Sequence, residues 1–204
     1  MLTLLHTAEF HVPAFDALRA SIAPGAAMQQ QVRTDWLARA KSGGDATLAA
    51  EITDTVRRAH GPVICTCTTI GDLAEAAGAQ RIDRPMMARA ADIGGPVLMA
   101  YCLHSTEETS LGALRGAFDA EGKPADITPL FLGQYWPFFE AGEVDEFHAM
   151  LGAAIGAVAE DTAPSCIVLA QASMAGAAEK LTRLGIPVLS SPELALRAGF
   201  GLPS

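Results

Sequence analysis

Three observations predict an α/β protein of parallel strands joined by crossover helices. Short apolar runs containing β-branched residues alternate with alanine-rich amphipathic stretches, as expected of parallel strands covered by helices on both faces. Proline pairs stand just ahead of several runs, at Gly61-Pro62, Gly95-Pro96 and Ile186-Pro187, where they end a helix before a strand begins. The segment 63–75 also lines up with 167–179, each passing from an apolar strand through a small polar turn into an alanine-rich helix.

Taken along the chain, strands are expected at 2–6, 62–66, 96–103, 127–132, 166–170 and 187–189, with a weaker one at 28–33. Helices fill most of the remainder. Thr34 is placed to cap a helix over 35–40, and Asp45 to cap one starting near Ala46, each offering a side-chain oxygen to unpaired N–H groups. The apolar stretch 150–159 reads as a buried helix. It falls well short of the ~20 apolar residues needed to span a bilayer.

A second internal match sets Leu5-His6-Thr7 beside Leu103-His104-Ser105, in the same order as the first. Together they predict a duplicated unit: two pseudo-symmetric three-layer halves, each with a four-stranded parallel sheet, and a cleft between them. The expected division is 1–94 plus 187–204 for the first half and 95–186 for the second, the tail returning to the first half.

Bulk properties narrow the function. Half of the 204 residues are apolar and 18% are charged, enough to build a substantial globular core. The mean hydropathy is +0.25. A formal net charge of −9 argues against a nucleic-acid partner, which requires clustered Lys and Arg to displace counterions. The densest basic pair, Arg57-Arg58, reads as a solvated helix face. No secretory signal pattern opens the chain, and the four cysteines lack both zinc-site spacing and disulfide-scaffold density. A cytoplasmic protein with reduced thiols is expected, with no membrane partner.

In an open parallel sheet, ligands collect beyond the carboxyl ends of the strands. Cys67 stands at such an end, followed by Thr68 and Thr69 and then by a helix whose N-terminal field favours thiolate over thiol. The two threonines offer hydroxyls and backbone donors suited to a carboxylate; the alternative is a strand-end cysteine with two capping threonines. Gln171 holds the matching position in the second half, where it can donate and accept hydrogen bonds but cannot take a proton. Ser173 nearby can bind an anion. His6 and His104 close the matched first strands, with His6 the candidate to hold or relay the Cys67 proton and a satisfied structural histidine as the alternative. His11, His60 and His148 receive no role. Cys65 and Cys67 point to one face, but two thiols without spaced partners make an incomplete metal site, so no metal is expected. The aromatic cluster 135–139 is expected to serve core packing or a contact between copies, which leaves a homo-oligomer open, with a lid as the alternative.

These residues resemble the aspartate/glutamate racemase superfamily, which includes glutamate, aspartate and hydantoin racemases, maleate isomerase and arylmalonate decarboxylase. Residues 63–75, with Cys67-Thr68-Thr69, look like the family's first catalytic turn, and 166–181, with Met174, like its second. The resemblance implies a cofactor-independent enzyme in which two cysteines face each other across the substrate. By position Cys67 matches the first of them and Gln171 stands in place of the second. His6-Thr7 matches a polar pair beside the first cysteine, and Thr68, Thr69 and Ser173 match carboxylate-holding positions.

The function expected is therefore a cofactor-independent isomerase of racemase type, acting on a small carboxylate or amino-acid-like substrate through one reactive cysteine. Cys67 and His6 would be catalytic, and Thr7, Thr68, Thr69, His104, Gln171 and Ser173 would bind substrate. The alternatives are a decarboxylase or other lyase of the same family, a relative that only binds carboxylates, or racemisation with His104 as a substitute base.

Overall fold

The computed structural model describes residues 1–43 and 46–203. The cap expected at Asp45 lies outside them. In chain order the elements are β1 (Leu2–His6), α1 (His11–Ile22), β2 (Met28–Val32), α2 (Thr34–Lys41), α3 (Ala46–Arg58), β3 (Val63–Cys65), α4 (Gly71–Ala76), β4 (Gln80–Arg81) and α5 (Arg84–Ile93). They continue with β5 (Val97–Tyr101), α6 (His104–Ala120), β6 (Ile127–Phe131), α7 (Trp136–Glu140), α8 (Val144–Thr162), β7 (Cys166–Leu169), α9 (Ala177–Lys180), β8 (Val188–Ser190) and α10 (Ser191–Phe200). Short 3₁₀ turns follow β3 at Thr68–Ile70 and β7 at Ala172–Met174. No helix among the described residues is long and apolar enough to cross a membrane.

The chain forms two compact units, Met1–Arg84 with Pro192–Ser204, and Pro85–Ser191. Each contains one four-stranded sheet, ordered β2-β1-β3-β4 in the first and β6-β5-β7-β8 in the second, with every neighbouring pair parallel. The expected α/β architecture of two similar units is thus present.

Burial follows position in the sheet. Residues of the inner strands β1, β5 and β7 are buried throughout, because helices cover both faces, and they read as unbroken apolar runs apart from Thr3 and His6. The outer strands β2 and β6 are only partly buried. Pro129 sits in β6 opposite Met99, where an edge strand tolerates a missing N–H donor. In the first unit Leu5, Trp36, Leu48, Ile52, Cys65 and Ile70 belong to one apolar core. The C-terminal α10 belongs to the same unit, and at Gly199 it passes close over the methyl ends of Leu2 and Ile64, which a side chain there would have to displace. In the second unit the core is built around Phe147, Leu151, Ile155 and the β7 side chains. The aromatic cluster joins it, with Trp136 and Phe139 stacked at 4.8 Å and Phe139 lying 5.3 Å from Phe147.

Three local expectations need correction. Thr34 is the first residue of α2 and not its cap, because the Arg33 N–H still bonds to His6 O (2.8 Å) and the chain turns into the helix directly from the sheet. A two-residue strand, β4, lies between the expected elements and pairs with β3 through Ile64↔Gln80 and Cys65↔Arg81. Finally, the match of His6 with His104 is out of register. β1 pairs with β3 through Leu5↔Cys65 and β5 pairs with β7 through Ala100↔Leu169, so the residue equivalent to His6 in the second unit is Tyr101. The partners agree, since His6 lies opposite Val32 and Tyr101 opposite Phe131. The match of Cys67 with Gln171 keeps the register.

Candidate functional site

In the first unit, adjacent strands β1 and β3 bring His6, Thr7, Cys67, Thr68 and Thr69 to one carboxyl rim. Cys67 lies two residues beyond β3, with extended backbone (φ −108°, ψ 116°), and leads into the 3₁₀ turn that precedes α4. Of the four cysteines it alone is partly exposed. Burial pushes the thiols of Cys65 and Cys102 up to about 12 and that of Cys166 up to about 11, so these three stay protonated at neutral pH. The Cys65 thiol donates to the Cys67 carbonyl oxygen (3.5 Å). Among the described residues no group of three His, Cys, Asp or Glu is placed to hold a metal ion.

His6 is fully buried, and both of its ring nitrogens are engaged. Nδ1 lies 2.8 Å from Thr66 Oγ1, and Nε2 lies 2.8 Å from Gln30 Oε1. Thr66 directly precedes Cys67, and its own N–H bonds to Leu5 O (2.9 Å). The ring also stacks on His11 of α1, with centroids 5.7 Å apart, and Phe15 packs at 5.2 Å. Sequence reasoning assigned His11 nothing, yet it lies over the residue chosen as the assistant to Cys67.

This packing has a pH consequence. Burial lowers the proton affinity of His6, against smaller opposing effects of the Gln30 bond and the Asp16 charge. Burial, and then the charge His6 would carry, lower His11 from 6.5 to about 4. Between those pH values the unfolded chain binds more protons than the folded one, so acid favours unfolding. The stability contributed by the neutral pair is complete above pH 6.5 and is lost as pH falls toward 4. For His11 alone the loss is on the order of 3 kcal/mol. We expect His11→Gln to flatten the fall in unfolding free energy over this range, measured by urea titration at several pH values. Parallel curves for the two proteins would refute the account.

In the second unit, Gln171 and Ser173 follow β7, and His104 opens α6 after the neighbouring β5. Gln171 Oε1 accepts hydrogen bonds from the backbone N–H of Cys102 (2.6 Å) and of Leu103 (3.1 Å). A backbone N–H can only donate, so the amide orientation is fixed, and the remaining chemistry of this side chain is that of its NH₂, a donor. The turn is held from the other side by His148 of α8, whose Nε2 lies 2.9 Å from Ser173 O. Gly176 permits this approach, since a side chain there would collide with the His148 ring. His104 is exposed and stacks on Phe131 at 4.0 Å, on the same rim.

The fold therefore gathers the expected residues in two groups, one per unit, and adds Thr66, Gln30, His11 and His148 as their supports. A cavity of about 590 Å³ in the first unit lies elsewhere, lined by residues in and next to β2, α2 and α3 such as Arg33, Trp36, Arg58 and His60, and contains none of the candidates. A smaller pocket of about 370 Å³ is lined by His104, Glu107, Glu108, Leu111 and Arg115.

No protein-family model matches the chain, and no curated protein sequence does. Solved structures do. Glutamate racemase from Francisella tularensis, in complex with D-glutamate, superposes with a TM-score of 0.71 at 10% identity, over 98% of this chain and 79% of that one. An aspartate racemase homologue from Pyrococcus horikoshii gives 0.67 at 10% identity over 98% and 97% of the two chains. Allantoin racemase from Klebsiella pneumoniae gives 0.63 at 19% identity over 98% and 88%. Across nearly its whole length, this chain shares the fold of these glutamate, aspartate and allantoin racemase structures.

Proposed function

We propose that this protein is a cofactor-independent enzyme of racemase-superfamily type, acting on a small carboxylate or amino-acid-like substrate through the single thiol of Cys67. The observation that carries the reading is that Cys67 alone among the four cysteines is both partly exposed and at the carboxyl end of an inner strand. As a thiolate it removes a proton α to a carboxylate, and the electron pair left on carbon delocalises into the carboxylate. Thr68 and Thr69, beside it on the same rim, hold the anionic oxygens. Thr7 supports the same rim, and His6 acts through Thr66 by keeping the Cys67 turn in place.

One observation favours a lyase as the second reading. With Gln171 Oε1 bonded to two backbone N–H groups, its position supplies a donor and no base. A decarboxylation needs only one acid: the C–C bond breaks, carbon dioxide leaves, the electron pair stays on the α-carbon, and Cys67 S–H delivers the proton. The cytoplasm, where thiols stay reduced, is the compartment this chemistry suits.

The test is turnover by wild type and by Cys67→Ser over amino acids, maleate-like acids and malonates in deuterated water. Activity confined to malonates selects the lyase. Deuterium entering both enantiomers of an amino acid would require a second base, with His104 the candidate. Binding without turnover by wild type, or equal rates from both proteins, would overturn the proposal.

A further inference from the structure

Gln30 lies in the edge strand β2, where a glutamine reads as an ordinary solvated residue. Its side chain is instead the centre of a directed polar chain. Gln30 Nε2 donates to Val12 O in the first turn of α1 (3.2 Å). A carbonyl oxygen can only accept, so the NH₂ end of the amide must point to α1 and the Oε1 end must point to His6. Oε1 can only accept as well, so His6 Nε2 carries the hydrogen of their 2.8 Å contact. In the neutral ring Nδ1 is then an acceptor and takes the hydrogen of the Thr66 hydroxyl 2.8 Å away, in competition with Leu5 O, which lies 3.0 Å from the same hydroxyl and already accepts the Thr66 N–H. The orientation set at Val12 thus passes through Gln30 and His6 to Thr66, the residue before Cys67.

We propose that Gln30 is a positioning residue of the Cys67 turn, fixing the His6 tautomer that receives the Thr66 hydroxyl while tying that ring to the first turn of α1. For the role of Cys67 in turnover this rests on the function proposed above; the positioning itself is tested without any substrate. The groups facing His6 define what perturbs it. From α1 these are His11, stacked on the ring, and Asp16, whose charge favours a proton on His6; from β2 there is Gln30, and from β3 Thr66. A neutral acceptor at position 30 leaves the ring neutral, whereas a carboxylate there would draw a second proton onto it.

Two variants of the full-length protein separate positioning from space-filling. In wild type, ¹⁵N spectra of labelled histidine should show His6 as the Nε2–H tautomer at neutral pH, and an aromatic disulfide reagent should label Cys67 as the fast thiol. Gln30→Leu removes the acceptor: the His6 tautomers should mix, and Cys67 labelling should change by about threefold or more. Gln30→Glu keeps the acceptor toward His6, gives up the donation to Val12 O and adds charge: the tautomer should persist, while His6 protonation and the acid limb of the labelling profile both move up by about one pH unit. Wild-type ¹⁵N shifts in Gln30→Leu, or an unchanged labelling profile beside mixed tautomers, would overturn the proposal. Should Gln30→Leu fail to fold, Gln30→Glu decides alone, and a titration of His6 and Cys67 identical to wild type would reject it. Failure of Cys67→Ser to lose turnover would remove the catalytic reading and leave these outcomes unaffected.

Discussion

Cys67→Ser is expected to lower turnover by about 10³-fold on whichever substrate the wild type uses, with KM held within about threefold. Serine keeps the volume and the hydrogen-bonding capacity of cysteine, so the substrate still binds. Its hydroxyl is far less acidic than a thiol, however, and neither takes up nor releases a proton near neutral pH. The control is Cys166→Ala. Cys166 is buried in β7 with its thiol pushed up to about 11, so its loss should reduce stability and leave the rate per folded molecule unchanged. A comparable loss of rate in both variants would mean that the first result reports folding and not chemistry.

The contrast among the cysteines shows what the sequence made readable. Cys67 stood out because it closes an apolar run and precedes two small polar residues, and the fold places it at the strand end this implies. The inner strands were legible for the same reason: a strand covered on both faces must be apolar throughout, and β1 falls on the residues its apolar run marks. β4 was not legible, since two polar residues carry no periodicity and pair only because β3 offers an edge. The His6 and His104 match failed because it compared letters, whereas equivalence is set by register. β5 stops at Tyr101, and Cys102 and Leu103 must first pass the Gln171 carbonyl before His104 can open a helix. The supports of the site were hidden for a related reason. Gln30 and His148 reach residues 24 and 25 positions from them in the chain, and neither hydrogen bond leaves a local trace.

The short strand β4 carries the interaction whose loss should destabilise the first unit most. Arg81 and Asp83 are both buried, with side chains 5% and 3% exposed, and they pair through Arg81 Nε to Asp83 Oδ1 (3.0 Å) and Arg81 Nη2 to Asp83 Oδ2 (2.6 Å). Arg81 Nη1 also bonds to Asp72 of α4. The arginine lies along Gly71, where an added side-chain carbon would stand 3.2 Å from Arg81 Nε, so the small residue lets the guanidinium brace the helix that follows the Cys67 turn. Arg81→Met removes the counter-charge and leaves Asp83 buried without it, which should cost about 3–5 kcal/mol in urea unfolding. The double change Arg81→Met with Asp83→Leu removes both charges together and should recover most of that loss, because the pair repays little more than its own desolvation. Cys67 labelling reports the second consequence: in the single variant the turn loses its brace and the thiol should react faster. A single variant within about 1 kcal/mol of wild type would show that water reaches Asp83 and that the pair is no more than a surface contact.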